Sequence, residues 1–163
     1  MNAGAMNSAA ELIARLRLEP HPEGGWYREV HRSADLITTA RGPRSALTSI
    51  YFLLETRQKS RWHVVASDEL WHHVGGAPLE LVTYSPETRV IHHAVLGSPN
   101  DAREPTGIAR AGIWQAARSL GAYSLMACDV GPGFDFEDFR FVSGIAGHEP
   151  HFKGALADFA DLL

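Results

Sequence analysis

Glu69-Leu70-Trp71-His72-His73, near the middle of this 163-residue chain, reads as a strand with two chemically different faces. Successive side chains of a strand point to opposite sides, so residues 69, 71 and 73 share one face while 70 and 72 share the other. We expect the face with the carboxylate to line an interior pocket. If Glu69 points inward, His73 does too.

Strand-like segments recur through most of the sequence. They are short, rich in β-branched or aromatic residues, and separated by turn formers such as Arg41-Gly42-Pro43 and Gly131-Pro132-Gly133. The predicted strands are 26–32, 46–55, 70–74, 79–85, 90–96, 122–130 and 139–142. Many short strands at this spacing indicate a barrel or jelly roll and not an open α/β sheet.

Helices are predicted at both ends of the strand region. Ser8 and Glu11 form a capping-box pattern, and the apolar residues that follow at helical spacing predict a short amphipathic helix ending near Arg17. Apolar residues at 156, 159, 162 and 163 allow a closing helix over 154–163. We predict one domain over residues 7–163, with a core barrel at about 24–142 and a disordered segment 1–6.

Composition excludes several classes of partner. Fifteen Lys and Arg residues against 19 Asp and Glu residues give a formal net charge of −4, which argues against nucleic acid and anionic membranes as partners. A single cysteine, Cys128, forbids an intrachain disulfide and favours a reducing compartment. Neither a membrane-spanning stretch nor a signal-peptide pattern is visible. We predict a cytoplasmic protein with a small-molecule ligand.

Two motifs resemble those of the cupin superfamily. Residues 63–76 are similar to the first cupin motif, G-x5-H-x-H-x3-4-E-x6-G, and residues 110–115 resemble part of the second, G-x5-P-x-G-x2-H-x3-N. Val65 replaces the second metal-binding histidine of the superfamily, and Gln115 replaces the last one. The metal positions that could still ligate are His63, Glu69 and Gln115.

A closer resemblance is to the small cupin family known as cupin-5 or DUF985. It extends over residues 12–142 in six blocks: 18–29, 49–54, 62–63, 68–72, 112–117 and 132–139. The resemblance implies an all-β cupin fold, the double-stranded β-helix or jelly-roll barrel, commonly as a homodimer. It implies no settled activity, because a fold does not by itself define a function.

One hypothesis for the pocket is a metal-dependent enzyme. Its cofactor would be one divalent ion, either Mn, Fe, Ni or Zn, held by an imidazole, a carboxylate and an amide oxygen from His63, Glu69 and Gln115. An inward His73 would complete a set of two histidines and one carboxylate.

A second hypothesis needs no metal. His63 and Glu69 could act as a general base and its orienting partner next to a carbonyl group, which is isomerase or epimerase chemistry. The ligand would be a small polar metabolite, sugar-like or carbonyl-containing. The predicted catalytic residues are His63, Glu69 and His73, and the predicted ligand-binding residues are Glu23, Tyr51, Trp71 and Gln115.

The alternative to an enzyme is a non-catalytic module that binds or senses a small molecule through a degenerate metal site. The loss of two of the four metal-site residues favours this alternative. Titratable groups on the predicted inward faces oppose it, because burying them without a use is costly.

The sequence also predicts structural roles for three further groups of residues. Gly24-Gly25 should let the chain turn sharply into the first long strand, and Glu23 and Glu29 could close one mouth of the pocket. The phenylalanines at 134, 136, 139 and 141 are predicted to pack in the core or in a dimer interface, with Asp135, Glu137 and Asp138 facing solvent.

Overall fold

The structure, a computed structural model, describes residues 8–163 as two antiparallel sheets with short helical segments. The strands are β1 (Glu19–Pro20), β2 (Trp26–Arg32), β3 (Leu36–Thr39), β4 (Gly42–Ser45), β5 (Thr48–Glu55), β6 (Lys59–Val65), β7 (Asp68–Gly76), β8 (Leu79–Tyr84), β9 (Ile91–Leu96), β10 (Thr106–Ala109), β11 (Trp114–Ser119), β12 (Tyr123–Gly131) and β13 (Phe139–Phe141). The helices are α1 (Ala9–Leu16) and α2 (Glu149–Phe152), and 3₁₀ turns cover Pro99–Asp101, Phe136–Asp138, Val142–Gly144 and Ala157–Leu162. The predicted disordered segment 1–6 and the predicted domain start at residue 7 lie outside the described residues.

The two sheets face each other as the layers of a jelly-roll barrel. One has the order β1-β2-β5-β12-β7-β10 and the other has the order β13-β6-β11-β8-β9, while β3 and β4 pair as a separate hairpin. Several neighbouring strands are far apart in sequence, as in the pairings of β12 with β5 and β7. The predicted all-β jelly-roll barrel is confirmed.

Apolar side chains pack in three places. Between the sheets lie Phe52, Leu54, Trp71, Leu79, Leu81, Leu96, Ala117, Met126 and Cys128. On the outer face of the six-stranded sheet, α1 covers Leu53 and Leu125. The C-terminal segment covers Trp62, Val82 and Trp114 on the outer face of the five-stranded sheet. Several central strands are therefore buried on both faces.

The helical ends differ in how well they match the sequence prediction. The capping box is present, because Ser8 Oγ accepts from the Glu11 amide at 3.2 Å and the Glu11 carboxylate accepts from the Ser8 amide at 2.9 Å. The helix α1 ends at Leu16, as predicted. The possible closing helix over 154–163 is present as a 3₁₀ helix over Ala157–Leu162, and the short helix α2 precedes it from Glu149.

Candidate functional site

A cavity of about 480 Å³ opens at one end of the barrel. Its wall comes from β2, β5, β6, β7 and β12 and from the loop 131–138 that follows β12. Four of the predicted site residues contribute to it or to its floor: Glu23, His63, Glu69 and Trp71. Cavities of roughly 300–1,000 Å³ are typical of small-molecule sites, so this one has the size for such a ligand.

A tight turn brings Glu23 into the barrel. Gly24 adopts φ +118°, and a Cβ at that position would lie 2.0 Å from the carbonyl oxygen of Lys59. Only glycine allows the turn to lie this close to β6. The Glu23 carboxyl is consequently buried, and Ser60 Oγ donates to its Oε1 at 2.7 Å. The predicted sharp turn at Gly24-Gly25 is confirmed.

The side chains of Glu23 and His63 are in contact. His63 Nδ1 lies 2.7 Å from the carbonyl oxygen of Arg61, which can only accept, so Nδ1 carries a hydrogen. His63 Nε2 lies 3.2 Å from Glu23 Oε2. A neutral imidazole with its hydrogen on Nδ1 has a lone pair at Nε2, and an ionised carboxylate has no hydrogen to give. The contact is therefore favourable only when one of the two groups carries a proton.

Burial favours the neutral form of this pair. Desolvation raises the pKa of Glu23 to about 8, against smaller lowering contributions from the Ser60 hydroxyl and the charge of Arg61. Burial also lowers the pKa of His63, although the charge of Glu69 opposes this. At neutral pH the pair is therefore mainly neutral, with the proton on the Glu23 carboxyl beside His63 Nε2.

His21 stands beside this pair and stays uncharged. Its Nδ1 accepts from the Glu23 amide at 3.2 Å. Burial, and then the charge of His63, lower the pKa of His21 to about 4. The ring makes edge contacts with Tyr27 and Phe52, with ring centroids 4.5 and 5.7 Å away. His21 is therefore a neutral, polar part of an otherwise aromatic wall.

Glu69 is held by a separate chain of hydrogen bonds. Its Oε2 accepts from Gln115 Nε2 at 2.7 Å, and Gln115 Oε1 accepts from Trp71 Nε1 at 3.0 Å. Because an indole N–H can only donate, Trp71 fixes which way the Gln115 amide points. Burial and the nearby Glu23 raise the pKa of Glu69 to about 7, against lowering contributions from His63 and Gln115.

The predicted metal-binding set does not fit this arrangement. Gln115 turns its oxygen to Trp71 and its N–H to Glu69, so it offers no oxygen beside that carboxylate. Across residues 8–163, no group of three or more His, Cys, Asp or Glu side chains is placed to hold a metal ion. Val65, at a superfamily metal position, instead adds an apolar surface to the cavity wall.

Charged residues and phenylalanines surround the mouth of the cavity. Glu29 accepts two hydrogen bonds from Arg32, at 3.0 and 2.7 Å, and Arg32 also donates to the carbonyl oxygen of Phe134. Asp135 and Phe136 complete the rim. The predicted place of Glu29 at a mouth of the pocket agrees with this arrangement.

Two predicted site residues lie away from the cavity. Tyr51 faces the outside of the six-stranded sheet, where it packs with α1, because its neighbours Ile50 and Phe52 take the inward positions. His73 shares a face with Glu69 but lies four residues further along β7, about 13 Å away at the usual rise per residue. The Trp71 ring lies between them, and His73 Nε2 contacts the Ala77 carbonyl oxygen at 3.1 Å.

Several other residues at the site were not predicted from the sequence, or were given a different role. Phe134 and Phe136 line the cavity, where a role in the core or in a dimer interface was predicted. Asp138 is not a solvent-facing residue: its side chain is 5% exposed and forms an ion pair with Arg44 at 2.8 Å. His21 lies within a family-like block but gave no separate signal, because its position depends on the turn at Gly24.

Comparisons with known proteins agree with this architecture. A model of the Cupin_5 family, described as cupin superfamily (DUF985), matches residues 10–142. A hypothetical protein from Leishmania major is 31% identical, with a TM-score of 0.80 over 93% of this chain and 98% of that one. A structure from Shewanella oneidensis is 33% identical, with a TM-score of 0.80 over 93% of this chain and 96% of that one.

The chain belongs to the Cupin_5 (DUF985) family of the cupin superfamily. An oxalate decarboxylase from Lactobacillus farciminis shares the fold alone, at 16% identity and a TM-score of 0.58 over 90% of this chain and 41% of that one. No curated protein matches the sequence. Within the part of the chain that the structure describes, no helix is long and apolar enough to cross a membrane.

Proposed function

We propose that the barrel binds a small polar molecule with a carbonyl group, of the size of a sugar, and moves protons on it as an isomerase or epimerase does. The observation that carries this proposal is the presence of two buried carboxyl groups, Glu23 and Glu69, with raised pKa values in one open cavity. Perturbed carboxyl groups in a cleft are characteristic of sites that transfer protons.

The different partners of the two carboxyl groups suit them to opposite roles. Glu69, with a pKa of about 7, is partly ionised at neutral pH and can take a proton from the carbon next to the carbonyl. Glu23 has a pKa of about 8 and is mostly protonated at neutral pH, so it can give a proton to the carbonyl oxygen. The two proton transfers together convert the substrate to an enediol. Return of the two protons restores both carboxyl groups and completes the isomerisation. His63 then acts as the partner that positions the Glu23 proton.

Hydrogen exchange with solvent tests the reaction. A panel of aldoses and ketoses is incubated with the protein in D₂O, and NMR measures deuterium at the carbon next to the carbonyl. We expect exchange with at least one sugar, and a loss of roughly 10²-fold or more in Glu69→Gln and in Glu23→Gln. His93→Gln is the matched control, because His93 pairs with Glu80 at 2.8 Å on the five-stranded sheet, outside the cavity.

A different result would favour the alternative. If no sugar exchanges, and a metabolite that copurifies with the protein binds tightly without being changed, the barrel is a binding or sensing module. A loss of exchange in His93→Gln equal to that in Glu69→Gln would also contradict the roles given to the cavity carboxyl groups.

The residues that carry the proposal all come from one chain. It therefore does not depend on the homodimer predicted from the family resemblance, nor on the predicted cytoplasmic location. Both of these stay predictions.

A further inference from the structure

The wall of the cavity contains more carboxyl groups than cations. Among the described residues that line it, the carboxyl side chains belong to Glu19, Glu23, Glu29, Glu69 and Asp135, and the guanidinium groups belong to Arg28 and Arg32. Glu23 keeps its proton at neutral pH and adds no charge, but the other carboxyl groups still outnumber the arginines. An excess of negative charge in a cleft with apolar walls makes the local potential negative and selects ligands by their charge. The two arginines decide whether an anion finds a partner there.

Four of the five N–H donors of Arg32 are used within the protein. Its Nε and one terminal nitrogen donate to the two oxygens of Glu29, at 3.0 and 2.7 Å. Both terminal nitrogens donate to the Phe134 carbonyl oxygen, each at 3.1 Å. The charge of Arg32 is therefore balanced by Glu29, and its hydrogen bonds hold the loop 131–138 against β2.

Arg28 is directed away from the cavity. Its guanidinium carbon lies 5.6 Å from the centre of the Tyr51 ring. Tyr51 packs with α1 on the outside of the six-stranded sheet. Arg28 Nε is buried without a hydrogen-bond partner, but Arg28 pairs with the outward-facing Tyr51 across β2 and β5. The cation on the cavity side is therefore Arg32, and its guanidinium group is already paired with Glu29.

We propose that the cavity excludes anionic ligands, so that the molecule it takes is an uncharged polyhydroxy carbonyl compound and not its phosphate ester, nucleotide conjugate or carboxylate. The identity of the carbonyl compound rests on the proposed function, whereas the selection against negative charge rests on the placement of the charged side chains. Glu29 acts as the specificity-determining residue, because it occupies the guanidinium group that an anion would otherwise bind.

A cysteine inside the cavity can measure this selection without any knowledge of the substrate. Cys128 is the single cysteine of the chain and lines the cavity, but it is 1% exposed and burial raises the pKa of its thiol. A more accessible reporter is Ile50→Cys in a Cys128→Ser background. Ile50 lines the cavity and pairs with Glu29 across β5 and β2.

The reporter is labelled with three methanethiosulfonates that carry a neutral hydroxyethyl, a cationic aminoethyl or an anionic sulfonatoethyl group. Intact-mass spectrometry gives each rate, and division by the rate for a free thiol removes the intrinsic reactivity of the reagent. We expect the anionic reagent to label about tenfold or more slowly than the neutral one at low salt, and the cationic reagent to label no more slowly.

Removal of the Glu29 charge should reverse this order. In Glu29→Gln, Arg32 loses its ionised partner, and we expect the anionic reagent to approach or exceed the rate of the neutral one. Glu87→Gln is the matched control, because it removes the same charge from the exposed turn between β8 and β9, outside the cavity wall. In this control, the ratio of the anionic to the neutral labelling rate should equal the ratio in the Ile50→Cys protein.

Equal or faster labelling by the anionic reagent in the Ile50→Cys protein would overturn the proposal. So would an identical change in Glu29→Gln and in Glu87→Gln, because the effect would then reflect net charge alone. Since labelling requires neither substrate nor turnover, a protein that excludes anions but exchanges no sugar hydrogen would refute the proposed reaction and leave the charge selection standing.

Discussion

The side chain of Gln115 links the side chains of Trp71 and Glu69 through two hydrogen bonds. It accepts from Trp71 and donates to Glu69, and all three side chains are almost fully buried. We predict that Gln115→Leu leaves the Trp71 N–H without a partner and destabilises the protein by about 1–3 kcal/mol. Because the Gln115 hydrogen bond lowers the pKa of Glu69, the same change should raise that pKa above about 7.

Carboxyl ¹³C NMR against pH measures the second effect, and urea denaturation measures the first. Gln58→Leu is the control: its side chain accepts from the Glu55 amide in a turn far from the cavity. We expect it to leave the titration of Glu69 unchanged. A Gln115→Leu protein whose Glu69 titrates as before would show that Gln115 has only a packing role.

At the scale of residues, strand alternation predicts correctly which side chains share a face. Glu69 and Trp71 share a strand face and both line the cavity. Tyr51 does not line the cavity, because the inward positions of β5 belong to its neighbours Ile50 and Phe52. The Glu23–His63 contact could not be predicted, since it depends on a glycine turn meeting a strand from a distant part of the chain.

At the scale of elements, α1 depends on its capping box. Its apolar residues pack against Leu53 on the outer face of β5, the strand whose inner face lines the cavity. We predict that Ser8→Ala lowers the free energy of unfolding by about 0.5–2 kcal/mol, because the Glu11 amide loses its acceptor.

Urea denaturation followed by tryptophan fluorescence checks this expectation. Ser8→Asp, which keeps a side-chain acceptor at the start of the helix, should retain most of the stability. Equal losses in the two variants would mean that the cap is not what stabilises this end of the chain.

The strands predicted from the sequence are segments rich in β-branched and aromatic residues. The strands β6, β10 and β11 and the hairpin of β3 and β4 were not among the predicted segments. The strand β11 reads Trp-Gln-Ala-Ala-Arg-Ser, without a β-branched residue, and its first four residues are buried. A strand enclosed by neighbours on both faces need not alternate. Only the resemblances to the second cupin motif and to the cupin-5 block 112–117 pointed to this segment.

At the scale of the whole molecule, the buried carboxyl groups link folding to pH. The pKa of Glu23 rises from 4.5 to about 8 on folding, and that of Glu69 rises from 4.5 to about 7. Between these limits the folded state holds protons that the unfolded state has released. The free energy of unfolding therefore falls as pH rises, by at most about 1.4 kcal/mol per pH unit for each group.

Histidines oppose this effect mainly at lower pH. The pKa of His21 falls from 6.5 to about 4 on folding, so its unfolded form binds more protons and its contribution to stability increases as pH rises from 4 to 6.5. The lowered pKa of His63 acts in the same direction. At pH 6.5 each histidine of the unfolded state is half protonated and offsets part of the slope, and above about pH 7.5 the two carboxyl groups determine it.

We therefore predict that stability decreases from pH 6.5 to pH 8, and that Glu23→Gln removes most of this decrease. An amide can donate to His63 Nε2 as the protonated carboxyl does, yet it releases no proton. Urea denaturation at half-unit intervals gives the two profiles, and their difference should grow by at most about 2 kcal/mol across the window. Parallel profiles would show that Glu23 is already ionised in the folded protein at pH 6.5, and that His63 carries the proton of the pair. Glu87→Gln, at an exposed turn, should follow the parent profile, because that side chain is solvated in both states.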